Sequence, residues 1–181
     1  MTRGWHLGSM FRLDPDLSIH KVIDGGLNIA NGISWSPDDK TMYVTDTLIG
    51  IWAFDYDIAN GTISNKRMFY PAEGFHGGSP DGHAVDVKGC IWAALYGGSK
   101  VVRISPQGEV IAEVLLPTKC LTDVAFAGED IFVSTGKDGS KTESPASGGD
   151  IYRCHVGVKG LPLTKFKLPP SVDVESLTSK L

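Results

Sequence analysis

A motif that occurs three times is the feature that most constrains how this chain of 181 residues folds. Each copy has a small polar pair, a short apolar run, a turn rich in Asp and Gly, and a second run of β-branched and aromatic residues. The copies are NGISWSPDDKTMYVTD from Asn31, DGHAVDVKGCIWAALYG from Asp81 and TDVAFAGEDIFVSTG from Thr122, so they begin 50 and 41 residues apart. This period suits one four-stranded β-propeller blade and is too long for a leucine-rich repeat.

Turn chemistry divides the repeats into strands. In the first unit, Pro37 after Ser36 marks a tight turn, and Asn60-Gly61 is a strong hairpin signal. The predicted strands are residues 32–36, 41–45, 50–56 and 62–69 in the first unit, 82–87, 90–95, 100–105 and 110–115 in the second, and 131–134 and 150–155 in the third. The polar loop 136–149 is predicted to be exposed and mobile, and residues 71–80 to be a flexible connector.

Upstream of the first unit, residues 10–14 and 18–23 are two alternating runs joined by Pro15-Asp16, which predicts a hairpin forming the outer half of another blade. No segment has the apolar spacing of a helix. The sequence therefore predicts an all-β partial propeller of about three blades plus one outer hairpin, spanning residues 1–168. A polar tail, residues 169–181, is expected to be frayed.

Composition excludes several classes of protein. A formal charge of −4 leaves no basic face, which argues against a nucleic-acid partner. The three cysteines, Cys90, Cys120 and Cys154, lack the spacing of a zinc site or a disulfide framework. No apolar run has the length of a secretory signal or a membrane span. We therefore expect a soluble, cytoplasmic protein without a membrane partner.

The polar pairs that open the repeats have two interpretations. Asn31-Gly32 and Asp81-Gly82 are residue types that turns favour. Alternatively, each pair opens the innermost strand of a blade, where side chains converge on the central channel; amide and carboxylate oxygens there are the donors that calcium prefers. His83 shares a strand face with Asp81 and is either a channel residue or a satisfied polar neighbour.

Aromatic residues in strand positions are predicted to pack between blades. They are Trp35, Trp52, Trp92, Phe126 and Phe132.

Several strings give the chain a family resemblance. NGISWSPDDKTMYVTD, AFDYDIANGTISNKR, PDGHAVDVKGCIWAALYGGSKVVRISPQGEVIAEVLLP and HVGVKG resemble the second half of the SMP-30/gluconolactonase (regucalcin) family. The resemblance covers roughly residues 8–168. It implies a six-bladed β-propeller with one divalent metal ion, calcium or zinc, in the central channel, and hydrolysis of sugar lactones.

The resemblance also implies residue roles. The asparagine ligand of the family falls on Asn31, and the aspartate that is both ligand and general base falls on Asp81. The family's glutamate ligand and its upstream arginine and asparagine have no counterpart here, so the metal site is expected to be incomplete. The alternative to a lactonase is therefore an inactive half-propeller or an incomplete gene model, acting at most as an interaction module. Open blade edges are expected to favour self-association.

Overall fold

A computed structural model describes residues 8–137, 148–167 and 169 of the chain. Most of the predicted mobile loop and almost all of the predicted tail lie outside these residues. Within them the protein is built from antiparallel strands and one short 3-10 helix.

Thirteen strands form four separate sheets in the described part of the chain. The hairpin contains β1 (Gly8–Leu13) and β2 (Ile19–Leu27). Blade I contains β3 (Ala30–Trp35), β4 (Thr41–Asp46), β5 (Gly50–Asp57) and β6 (Thr62–Pro71). Blade II contains β7 (Ser79–Val85), β8 (Ile91–Tyr96), β9 (Lys100–Ile104) and β10 (Val110–Leu115). Blade III contains β11 (Leu121–Ala127), β12 (Asp130–Thr135) and β13 (Ile151–His155).

The sheets are arranged as consecutive propeller blades. Strand order within each blade follows chain order, and the first strands β3, β7 and β11 pack beside one another. These three are therefore the innermost strands, and later strands of each blade lie farther from the axis. The predicted partial propeller of about three blades and one hairpin is confirmed.

The core lies in layers between blades, and β8 shows how one strand serves two layers. Ile91, Ala93 and Leu95 face blade I, where they pack with a cluster that includes Tyr43 and Ile51. Side chains from the other face of β8, such as Trp92, pack instead with residues of blade III. Successive strand residues point to opposite faces, so a nearly continuous apolar run is what a central blade requires.

The hairpin packs on the face of blade I that is opposite blade II. Leu27 at the end of β2 is fully buried in a cluster with Met42 and Phe54. Arg12 on β1 donates hydrogen bonds to the carbonyls of Asn60 and Gly61, at 2.6 and 2.7 Å, in the predicted turn between β5 and β6. The hairpin is thus attached to blade I by apolar and polar contacts.

The connector between blades I and II differs from the predicted flexible segment. It contains a 3-10 helix, Ala72–Phe75, whose Phe75 is buried against Tyr70 with ring centroids 4.7 Å apart. The Tyr70 hydroxyl also donates to the carbonyl of Gly74 at 2.9 Å. A single aromatic side chain therefore anchors a stretch whose glycines had suggested mobility.

The aromatic residues are only partly interior. Trp92 is buried as predicted, but the prediction is wrong for Trp35 and Phe132, each 37% exposed. Phe132 alternates along β12 with Ile131 and Val133, which occupy the face toward the core. The three cysteines are free thiols. Among the described residues, no helix is long and apolar enough to cross a membrane.

Candidate functional site

The polar pairs of the three repeats lie on the three innermost strands. Asn31 is on β3, Asp81 on β7, and Thr122-Asp123 on β11. Each strand has a register shift at this level, between Ala30 and Ile33, Pro80 and His83, and Leu121 and Asp123. Such irregularities redirect side chains and are common beside active sites. The repeat thus places one polar pair per blade at a shared level of the channel.

The glycines of the first two pairs are required by close packing between blades. A Cβ on Gly32 would lie 2.8 Å from the backbone nitrogen of His83, and one on Gly82 would lie 2.8 Å from Cα of Asp123. Both distances are shorter than real Cβ contacts, so a larger residue would push the strands apart. The interpretation of these pairs as turn residues is therefore wrong, since both lie within strands where the next blade approaches.

Asn31 is half-buried, and its amide is held in one orientation. Its Nδ2 donates a hydrogen bond to Thr47 Oγ1 at 2.7 Å. This contact takes the nitrogen end of the amide, and no described residue donates to the oxygen end. The Asn31 oxygen is therefore the group available for a cation or a substrate hydroxyl.

Asp81 is a half-buried carboxylate whose pKa is raised above its usual value. Partial burial is the main cause, the negative charge of Asp123 adds to it, and the backbone N–H of Gly82 opposes both. Within the described part of the chain, no Lys or Arg forms an ion pair with Asp81. Among the described residues, the Asp81 carboxylate is thus stabilised by the single backbone N–H of Gly82, which favours either a proton or a cation beside it.

Asp123 is a second carboxylate at this level and was not among the predicted site residues. Asp123 is exposed as a whole, but one side of its carboxylate packs against Gly82, and the local loss of solvent there raises its pKa. The backbone N–H of Val124 donates to it at 2.8 Å. The position of Asp123 in the third copy of the repeat was the signal that could have identified it.

His83 is turned away from solvent and is 6% exposed. Its Nε2 lies 2.7 Å from Ser34 Oγ, and its Nδ1 lies 2.8 Å from Thr45 Oγ1. Burial lowers the pKa of His83 from 6.5 to about 4, so the ring is neutral at physiological pH. Of the two predicted roles, the geometry is that of a satisfied polar neighbour.

The arrangement presents oxygen donors and uncompensated negative charge to the channel. Amide and carboxylate oxygens suit a hard divalent cation such as calcium. The described residues contain no group of three or more His, Cys, Asp or Glu that could hold a metal ion. Asn31 and Asp81 bring an amide and a carboxylate to adjacent innermost strands at this level. A cation held there would need further oxygens from water, substrate or other parts of the protein.

Comparisons with known proteins agree with this architecture. Residues 1–137 match the model of the SMP-30/Gluconolactonase/LRE-like region. The chain is 39% identical over 168 residues to regucalcin of Xenopus laevis, covering 88% of this chain and 56% of the relative. The chain spans about half the length of the curated relatives it matches.

Two solved structures show the same fold. A luciferin-regenerating enzyme superposes with a TM-score of 0.80 and 32% identity, over 90% of this chain and 56% of that one. A calcium-binding protein, regucalcin, from Agrobacterium tumefaciens superposes with a TM-score of 0.81 and 26% identity, over 90% and 57% of the two chains.

Proposed function

The chain belongs to the SMP-30/gluconolactonase/LRE-like family, and from this membership we propose that the protein is a sugar lactone hydrolase dependent on a divalent cation, calcium or zinc. Asn31 and Asp81 are the proposed protein ligands, and Asp81 is also the proposed general base. The substrate class is inferred from gluconolactonases of the family.

One observation carries this proposal. Asp81 and Asn31 lie on adjacent innermost strands at the level where Gly32 contacts β7, and Asp81 has no cationic side chain beside it in the described part of the chain. A carboxylate in this state needs a proton or a cation to offset the cost of its partial burial. The Asn31 amide oxygen on the adjacent strand, to which no described residue donates, makes a cation the better match.

A divalent cation held by Asn31 and Asp81 would supply Lewis acidity, which would polarise the lactone carbonyl and favour the charge that develops on its oxygen. Calcium takes about six to eight oxygen ligands, so two protein groups leave room for water and substrate. Thr47 accepts a hydrogen bond from the Asn31 amide nitrogen, which leaves the amide oxygen as the group that would bind the cation.

Asp81 acts on the water. Its carboxylate accepts a proton while the water oxygen forms a bond to the carbonyl carbon of the lactone. The ring C–O bond then breaks, and the departing oxygen takes up the proton that Asp81 accepted, which gives the open hydroxy acid and restores the Asp81 carboxylate.

The test is hydrolysis of gluconolactone by the purified chain, with calcium or zinc added, together with calcium binding measured by calorimetry. The Asp81→Asn variant should lose at least about a hundredfold in metal-dependent turnover, since it removes a proposed base. Asn31→Ala should weaken calcium binding, and Asp24→Asn, an exposed acid of the hairpin, should change neither. Turnover that survives Asp81→Asn overturns the proposal.

An inactive chain is the second candidate. It is favoured by the absence, among the described residues, of a group of three acidic, His or Cys side chains around one point. Folded protein that neither binds calcium nor hydrolyses the lactone would support this candidate and contradict the first.

A further inference from the structure

The side chain of His83 joins two blades at the level of the candidate site. It leaves β7 of blade II and reaches Ser34 on β3 and Thr45 on β4, both in blade I. Neutral imidazole has one donor and one acceptor, and each hydroxyl can serve as either. Both ring nitrogens are therefore satisfied in either tautomer, as a buried polar side chain requires.

The ring of His83 packs directly against Gly32. The His83 ring and its backbone nitrogen occupy the space that a Cβ on Gly32 would need. Gly32 directly follows Asn31, and His83 is two residues after Asp81 on β7. Each end of the contact is thus close in sequence to one of the two proposed ligands.

The corresponding position in the other repeats is apolar. Ile33 follows the polar pair in β3, and Val124 follows it in β11. Val124 is buried in the layer between blades II and III and has no side chain capable of such hydrogen bonds. A histidine at this position is therefore not required to build a blade, and its two hydrogen bonds are specific to the junction of blades I and II.

We propose that His83 is a positioning residue that locks β7 to β3 and β4 and thereby sets where Asp81 stands relative to Asn31. Its action is indirect, because both ring nitrogens are occupied by Ser34 and Thr45 and neither is free for substrate. The consequence for cation binding rests on the proposed function, whereas the lock itself does not.

The experiment compares three changes at the lock. His83→Phe keeps a ring and removes both nitrogens, His83→Gln keeps one amide group able to reach a hydroxyl, and the Ser34→Ala/Thr45→Val double variant keeps His83 and removes its partners. His155→Phe is the matched control, since His155 is an exposed histidine on β13 that contacts Asp130. The double variant keeps the test decisive where a Phe ring does not fit.

The first two readouts need no metal. Amide hydrogen exchange in β3 and β7 should accelerate at least about tenfold in His83→Phe and in the double variant, because each lost hydrogen bond costs local stability. The NMR signals of the Asn31 side-chain amide and the Asp81 carboxyl carbon should shift in both. His83→Gln should restore part of each effect, and His155→Phe should leave β3 and β7 unchanged.

Calcium affinity is the third readout. Loss of residues that orient a ligand commonly weakens metal binding by about 10- to 100-fold, and His83→Phe should fall in that range, with His83→Gln between it and the wild type. The proposal is overturned when a folded lock variant keeps wild-type exchange and wild-type Asn31 and Asp81 signals. It is equally overturned when calcium binding is unchanged in a variant whose amide hydrogen exchange in β3 and β7 is accelerated. A wild-type chain that binds no calcium refutes the proposed function, and the exchange and NMR signals then decide the positioning role.

Discussion

At the junction of blades I and II, the glycine of the innermost strand faces a histidine, whereas at the junction of blades II and III it faces a carboxylate. Gly32 packs against His83, and Gly82 packs against Asp123. His83 is buried, neutral and bonded at both nitrogens. Asp123 is exposed, and the backbone N–H of Val124 donates to it.

The same backbone arrangement thus supports two kinds of chemistry. A glycine is needed at both junctions because the next strand approaches closely, and the residue that fills the gap decides what the junction does. A neutral, fully bonded ring stabilises the first junction. A charged group beside another carboxylate, Asp81, costs stability at the second and makes it attractive to cations.

Substituting the glycines should have the largest effect. Gly32→Ala and Gly82→Ala place a methyl group against backbone atoms of the next strand, which cannot move as a flexible side chain can. Each change should lower the free energy of unfolding by about 3 kcal/mol, measured by urea denaturation.

Gly136→Ala is the matched control for both glycine changes. The nearest atom to a Cβ there is 3.6 Å away, an ordinary contact. Its effect should stay within about 0.5 kcal/mol. Wild-type stability in Gly32→Ala or Gly82→Ala would show that the two junctions do not share this constraint.

Lowering the pH should weaken the first junction through His83. Because burial lowers its pKa from 6.5 to about 4, the unfolded chain binds this proton more readily than the folded protein. The contribution of neutral His83 to the free energy of unfolding is fully present above pH 6.5. It is lost as the pH falls toward 4, by about 3 kcal/mol in total. Urea denaturation at several pH values gives the slope of the free energy of unfolding against pH for wild type and for His83→Gln. The difference between the two slopes measures the contribution of His83. Identical slopes would contradict a buried, neutral His83.

Removing the charge at the second junction should have the smallest effect, with the opposite sign. The pKa of Asp123 is raised, so its ionised form is unfavourable in the folded protein. Asp123→Asn should therefore stabilise the metal-free chain at neutral pH, by only about 0.5 kcal/mol because solvent screens an exposed group.

A thermal unfolding scan with chelator present measures the effect of Asp123→Asn. Glu129→Gln, a change of equal charge at an exposed residue of the β11–β12 turn, controls for the overall charge of the protein. Destabilisation by Asp123→Asn would mean that the carboxylate has a favourable partner at this junction.

The strands and turns could be predicted because they depend on local pattern. The Asn60-Gly61 turn and the strands on either side of it follow from rules that act within a few residues. The exposure of Trp35 could not be predicted, since it depends on which face of β3 meets another blade. Ser34, not its apolar neighbours, takes the buried face there because His83 supplies its hydrogen-bond partner.

Some residues of the candidate site could likewise be predicted from the sequence, and others could not. Asn31 and Asp81 were identifiable from the repeat and the family resemblance, and their roles as ligands remain predictions. Asp123 was overlooked because its importance lies in its distance from a carboxylate 42 residues earlier in the chain. The glycines were assigned to turns because sequence alone does not distinguish a glycine that bends the chain from one that admits a neighbour.

The sequence by itself determined the all-β class, the number of repeats, the polar pair that opens each one and the family. These features are encoded in short periods, turn residues and strings that do not depend on distant contacts. Only the tertiary structure decided that Gly32 packs against His83 and that Gly82 packs against Asp123. It also decided that the ring of His83 is hydrogen-bonded, whereas the carboxylate of Asp123 lies near Asp81. The physical reason is that burial and charge at the channel are set by the next blade, which the chain reaches only after 40 to 50 residues.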